Sequence, residues 1–219
     1  MQLKELDLFH KIREPKTPSK KAPLLIMLHG YGSNEEDLFA FAEELPGEFF
    51  IISVRAPLDL QPYGHAWYEI HWNNNNGKFT DEIQAIASRD KIVKFIDEAV
   101  EAYPVDEKNV TLVGFSQGCI LSFAVALSYP QKVKNVVGLS GYIDRNILAE
   151  GYEKNDFSHL SVYSSHGTVD QVIPVDWARQ TRPLLDELGV ANTFSEFPVG
   201  HGVAPQNFAE IKKFLEKKV

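Results

Sequence analysis

The chain alternates between short apolar runs and longer stretches with helical periodicity. Leu24-Leu25-Ile26-Met27-Leu28 is a continuous apolar run closed by His29-Gly30, the pattern of a strand buried on both faces. Asn34 then caps a stretch in which Leu38, Phe39, Phe41, Ala42 and Leu45 share one helical face, until Pro46-Gly47 stops it. Residues 49–54 form a second buried strand. Ile86, Val93, Ile96 and Val100 recur at helical spacing, and Pro104 closes that segment. Residues 110–115 read as a third strand, followed by a helix of small and apolar residues from Gln117 to about Tyr129. Further strands follow at 133–139, 160–164 and 192–197. Pro174 stands where a helix over 175–188 begins, and Phe208, Ile211 and Leu215 mark a last amphipathic helix.

Strands alternating with helices predict βαβ units: a mostly parallel sheet with right-handed connections and helices on both faces. No repeat or Gly/Ser linker divides the chain, and 219 residues with 44% apolar content are enough for one core, so a single α/β domain is expected. The net charge of −8 argues against nucleic acid or anionic membrane as the main partner. One cysteine, Cys119, leaves no disulfide framework, and it reads as a small core residue. Charges break up the first residues, and no apolar run is long enough to cross a bilayer. A cytoplasmic protein without stable membrane insertion is the expectation.

Ligands of such sheets bind at the carboxyl ends of the strands, so the residues just after each strand carry the chemistry. After the third strand comes Gly114-Phe115-Ser116-Gln117-Gly118, a G-x-S-x-G pattern with a strand before it and a helix after it. A serine on so sharp a turn is strained, and its glycine neighbours let strand and helix approach closely. The helix N-terminus behind Ser116 favours developing negative charge. A serine hydroxyl needs a base, and the base needs an orienting partner. Two acids stand after later strands: Asp170, just before the helix that Pro174 opens, and Asp144, after the fourth strand. Order along the chain and loop position favour Asp170. After the sixth strand, Gly200-His201-Gly202 offers a loop histidine, and Ser116, Asp170, His201 is the order this architecture uses. His10, His65, His71 and His159 read as surface histidines. His166 stands too near Asp170 to be its partner in the required geometry and reads as structural. Negative charge on a reacting carbonyl needs rigid N–H donors, for which Gln117 and Tyr31, in the His29-Gly30 loop, are the candidates. No histidine or cysteine spacing suits a metal, and no phosphate-loop motif is present.

Leu28-His29-Gly30-Tyr31-Gly32, Gly114-Phe115-Ser116-Gln117-Gly118, His166-Gly167-Thr168-Val169-Asp170 with Val172-Ile173-Pro174, and Gly200-His201-Gly202-Val203 together resemble the phospholipase/carboxylesterase family, which includes bacterial carboxylesterases and acyl-protein thioesterases. The resemblance runs from about Pro23 onward. It implies an α/β-hydrolase fold, Ser116 as nucleophile, His201 as base and Asp170 as its partner. It also implies Tyr31 and Gln117 as oxyanion donors, Trp67 and Tyr68 beside the acyl site, no cofactor and a homodimer. Short- or medium-chain acyl esters are the expected small-molecule substrates. Thioesterase or lysophospholipase activity is the alternative at the same site. A catalytically silent binding protein is a further one, though it need not keep all three residues. Residues 57–80 depart from expectation, being long and aromatic, with Tyr63, Trp67, Tyr68, Ile70, Trp72 and Phe79 around an Asn73-Asn74-Asn75-Asn76-Gly77 run. They read either as a cover over the acyl pocket with the Asn run as its mobile tip, or as a surface loop packed by its own aromatics.

Overall fold

The computed structural model of the chain describes residues 2–72 and 78–219, so the expected Asn-rich tip at residues 73–77 lies outside it. In chain order its elements are β1 (His10–Arg13), β2 (Ala22–Leu28), α1 (Glu36–Phe39), β3 (Phe50–Val54), β4 (Leu58–Asp59), β5 (His65–Ala66), β6 (Ile70–Trp72), β7 (Lys78–Thr80) and α2 (Glu82–Ala102). There follow β8 (Val105–Phe115), α3 (Gln117–Ser128), β9 (Asn135–Leu139), β10 (Ser161–Gly167), α4 (Val175–Arg179), α5 (Thr181–Glu187), β11 (Ala191–Phe197) and α6 (Pro205–Leu215).

Because successive strand residues point to opposite faces, the apolar run of β2 supplies two cores at once. Leu24, Ile26 and Leu28 face one with Phe95 and Ile96 of α2 and Leu121 and Phe123 of α3. Leu25 and Met27 face the other with Leu38 of α1 and Ile211 and Leu215 of α6. The result is a seven-stranded sheet of order β1-β3-β2-β8-β9-β10-β11 covered on both sides. It is parallel except for β1, which pairs antiparallel with β3 at the edge. This is the α/β-hydrolase architecture. Among the described residues, no helix is long and apolar enough to cross a membrane.

The strand order positions the site. The chain leaves β2 toward β3, then crosses back to build β8 on the other side of β2. The loops after β2 and β8 therefore diverge and open a crevice at the carboxyl ends of the strands. Leu28 and Gly114, the last pair between those two strands, lie opposite each other in register.

Three expectations are corrected. The segment 175–188 is two helices, because Pro183 has no N–H for the carbonyl of Arg179 and its ring crowds that carbonyl, which breaks the helix at Gln180. The helix expected after Asn34 is the single turn α1 and a separate 3-10 turn at Ala42–Glu44. The third strand begins five residues earlier than its apolar run, at Val105, because its first half is solvent-facing. The expected stripe on α2 packs as read, with Ile96 buried and Ile86, Val93 and Val100 against the same core, and the helix also buries Ala85, Ser88, Arg89, Ile92, Phe95 and Ala99. The polar Ser88 and Arg89 are drawn inward because Ser88 Oγ donates to the Trp67 carbonyl and Arg89 Nη1 donates to the Ile147 carbonyl.

Candidate active site

Ser116 joins β8 to α3 with φ 54° and ψ −114°, a left-handed conformation that costs a non-glycine residue ~1–3 kcal/mol. Its neighbours make the turn feasible. A Cβ on Gly114 would lie 2.2 Å from the Gly118 carbonyl oxygen, and a Cβ on Gly118 would lie 1.9 Å from that of Leu28. Both glycines of the motif are thus required by close backbone approach. Gln117 is the first residue of α3, so its N–H belongs to the unsatisfied first turn that points back toward Ser116.

The loop after β2 abuts this turn, since a Cβ on Gly30 would meet the Ser116 Cβ at 3.3 Å. It is held from two sides. Gly32 N donates to the His65 carbonyl at 2.9 Å, and His65 N donates to that of Ser33 at 2.8 Å. Buried His29 donates from Nδ1 to the Gly30 carbonyl at 2.7 Å and accepts at Nε2 from Ala56 N at 3.0 Å. Tyr31 sits in this braced turn, 45% exposed.

On the other side, β10 and β11 end together, and Gly167 lets their loops touch: a Cβ there would lie 2.2 Å from the Gly200 carbonyl oxygen. This brings His201 to Asp170, with Nδ1 2.7 Å from Oδ2. Asp170 Oδ1 accepts from Val172 N at 2.8 Å and Ile173 N at 3.0 Å. Burial alone would raise the Asp170 pKa, but the His201 hydrogen bond and the two backbone donors outweigh it and hold the carboxyl below its ordinary value. The His201 ring packs 4.9 Å from that of Phe115, the residue before Ser116. Asp144 is engaged differently, accepting from Asn146 N at 3.0 Å to cap a 3-10 turn.

A cleft of about 1140 Å³ opens beside Ser116 and Gln117. Tyr68 lines it, whereas Trp67 does not: its side chain is fully buried against His29 and its Nε1 donates to the His29 carbonyl at 2.9 Å. The Gln117 side chain fastens this pair to the nucleophile turn, accepting from Trp67 N at 3.1 Å and donating to the Tyr68 carbonyl at 2.8 Å. Of the aromatics in the expected cover, Tyr63 is 86% exposed.

Several residues have roles that sequence reasoning missed. His166 does reach Asp170: its Nε2 lies 3.2 Å from Oδ2 and 2.9 Å from the Ile173 carbonyl, because the loop folds back after β10. His10 is buried on β1 and does not face the surface. Glu69, His71 and Asp81, brought together by the β6–β7 hairpin and the start of α2, have donor atoms within 4.8 Å of one another, enough to offer a cation three ligands. Their spacing in sequence gives no such signal. Asp81 Oδ1 is already engaged as the N-cap of α2, accepting from Gln84 N. Cys119 is buried, and burial pushes its thiol pKa up, away from a reactive thiolate.

This fold, with a strained serine, a braced turn and an Asp–His pair at one end of the sheet, defines a class of hydrolases. A family model for Phospholipase/Carboxylesterase matches residues 10–219, and the chain belongs to that family. It is 27% identical to an acyl-protein thioesterase 1 of Candida albicans over 225 residues, covering 95% of this chain and 97% of that one. An acyl-protein thioesterase 1 of Yarrowia lipolytica is also 27% identical, over 92% and 95% of the two chains. The Bacillus cereus carboxylesterase superposes with a TM-score of 0.84 at 22% identity, over 97% of this chain and 95% of that one.

Proposed function

We propose that the protein is a serine carboxylesterase that hydrolyses short- to medium-chain acyl esters through an acyl-enzyme. The observation that carries this reading is the 2.7 Å bond from His201 Nδ1 to Asp170, at the same sheet end as the strained Ser116. With Nδ1 donating to Asp170, Nε2 is the nitrogen left to accept the Ser116 proton. Ser116 Oγ adds to the ester carbonyl as His201 takes that proton, and the oxyanion is held by the N–H groups of Gln117 and Tyr31. The bond to the alcohol then breaks as His201 protonates the leaving oxygen. Water attacks the acyl-enzyme as His201 takes its proton, and the bond from the acyl carbon to Ser116 Oγ then breaks as His201 returns that proton to Oγ, releasing the acid and free Ser116. The depressed Asp170 pKa supports its part, since a carboxylate that stays ionised stabilises the imidazolium formed in each step.

Thioester hydrolysis at the same site is the second reading, favoured by the acyl-protein thioesterase names of the relatives. Matched oxygen and sulfur esters of one acyl group separate the two by their kcat/KM.

Labelling with a fluorophosphonate followed by peptide mapping tests the main reading. One adduct is expected, on Ser116, and none in Ser116→Ala. An adduct on another residue, or no labelling of the folded wild-type protein, overturns it.

A further inference from the structure

The cleft beside Ser116 carries acids that acyl transfer does not use. Asp144, Glu82 and Asp81 all line it, and its described lining residues include no lysine or arginine. Asp81 is tied to His71, whose Nε2 lies 3.2 Å from its Oδ2. Asp144 and Glu82 are not paired in this way. Asn146 stands between them, its N–H donating to Asp144 Oδ1 and its side-chain Nδ2 donating to Glu82 Oε1 at 2.8 Å. Among the described residues neither has a cationic partner. Burial, together with the charge of Glu82, raises the pKa of Asp144, the mark of a partly desolvated carboxylate beside a like charge.

Capping the 3-10 turn engages one Asp144 oxygen, but half-burying its charge with no counter-ion among the described residues is unfavourable, so the arrangement brings nothing to the binding of an uncharged acyl chain. A cation beside it reverses the sign. The same cleft also presents aromatic rings: Tyr142 and Trp177 line it in an edge-to-face pair with centroids 5.2 Å apart, and Tyr68 lies at the end nearer Gln117. Carboxylates combined with aromatic faces are the chemistry that recognises ammonium groups.

We infer that this cleft selects esters that carry a cationic nitrogen, such as a substituted ammonium group, with Asp144 and Glu82 as the specificity-determining pair. The inference rests on the esterase reading and names the substrate class of that same site. It also implies that esters carrying a carboxylate or phosphate near the reacting carbonyl are poor substrates.

Two isosteric pairs of esters test it. Butyrylcholine against 3,3-dimethylbutyl butyrate places the charge on the alcohol side. The nitrophenyl ester of 4-(trimethylammonio)butyrate against that of 5,5-dimethylhexanoate places it on the acyl side. In at least one pair the cation is expected to have a kcat/KM about tenfold or more above its neutral isostere. That ratio should fall toward one in Asp144→Asn and fall by a smaller factor in Glu82→Gln. The ratio is internal to each variant, so a general loss of activity does not imitate the effect. Equal turnover within both pairs, or a cation preference that survives both substitutions, overturns the inference and leaves the esterase reading standing. A preference abolished by EDTA assigns the acids to a bound metal and overturns it as well. Failure of all four esters together with absence of Ser116 labelling removes the esterase reading, and this inference with it.

Discussion

Asp170 shows how one side chain is fixed by its bonds. Each oxygen is committed: Oδ1 to the N–H groups of Val172 and Ile173, and Oδ2 to His201, with His166 Nε2 3.2 Å from the same oxygen. The carboxylate cannot rotate without breaking several of these bonds, so it sets the direction from which His201 approaches. With its pKa held below the ordinary 3.8, the carboxylate contributes stability that is complete above that value and is lost as pH falls through the lower folded value. Asp170→Asn keeps the shape but sets an amide N–H where His201 must donate, favouring the wrong tautomer. Its kcat/KM for a neutral ester should fall by about 10³–10⁴-fold with circular dichroism unchanged. A loss of less than about tenfold would return the orienting role to Asp144.

At the scale of elements, the site was more legible than its frame. Ser116 and the His29-Gly30 turn follow strands whose continuous apolar runs announce burial on both faces, whereas Asp170 and His201 follow the mixed strands β10 and β11 and were legible from their order along the chain and their loop position. The elements that escaped notice are polar: β1, which reads His-Lys-Ile-Arg, and the solvent-facing first half of β8. Hydrophobic periodicity cannot register a segment whose buried groups are held by hydrogen bonds. Arg13 is the clearest instance. It lies on the edge strand, buried with no carboxylate partner among the described residues, and its Nη1 donates to the carbonyls of Phe49 at 3.1 Å and Gly47 at 3.3 Å. Its Nη2 donates to those of Ala42 at 3.1 Å and Pro46 at 3.0 Å. One guanidinium thereby satisfies the irregular chain between α1 and β3 that no ladder reaches. Arg13→Met, which keeps the apolar stem and removes the donors, should lower the unfolding free energy by about 2 kcal/mol or more in urea titrations. Arg13→Lys should recover only part of this, since one ammonium cannot span the fork. A Met variant as stable as wild type would show that water replaces these bonds without cost.

Across the whole molecule, two buried histidines couple folding to pH. His10 and His29 have their Nδ1 atoms against the carbonyls of Leu8 at 3.0 Å and Gly30 at 2.7 Å, so each Nδ1 carries the proton. Each Nε2 is then an acceptor, from the Tyr103 hydroxyl at 2.7 Å in one case and from Ala56 N at 3.0 Å in the other. The first bond pins the edge strand to the end of α2, and the second pins the chain after β3 to the His29-Gly30 loop beside Ser116. Burial lowers both pKa values below the ordinary 6.5, chiefly by desolvation, against which the carbonyl bonds act only in part. The unfolded chain therefore binds more protons than the fold at mildly acid pH. Stability from these groups is complete above about pH 6.5 and declines as pH falls from there toward the lower folded values. Urea midpoints should be level above about pH 7.5 and drop by pH 5.5, well before the carboxylates titrate. Substituting His29 by Gln removes one titrating group, so the drop should shrink even though the variant starts less stable. Midpoints that hold constant across that interval would mean that protonated imidazoles are accommodated at both sites. Tyr103 would then have to rotate its hydroxyl proton away from His10, and Ala56 would have to give up its bond to His29.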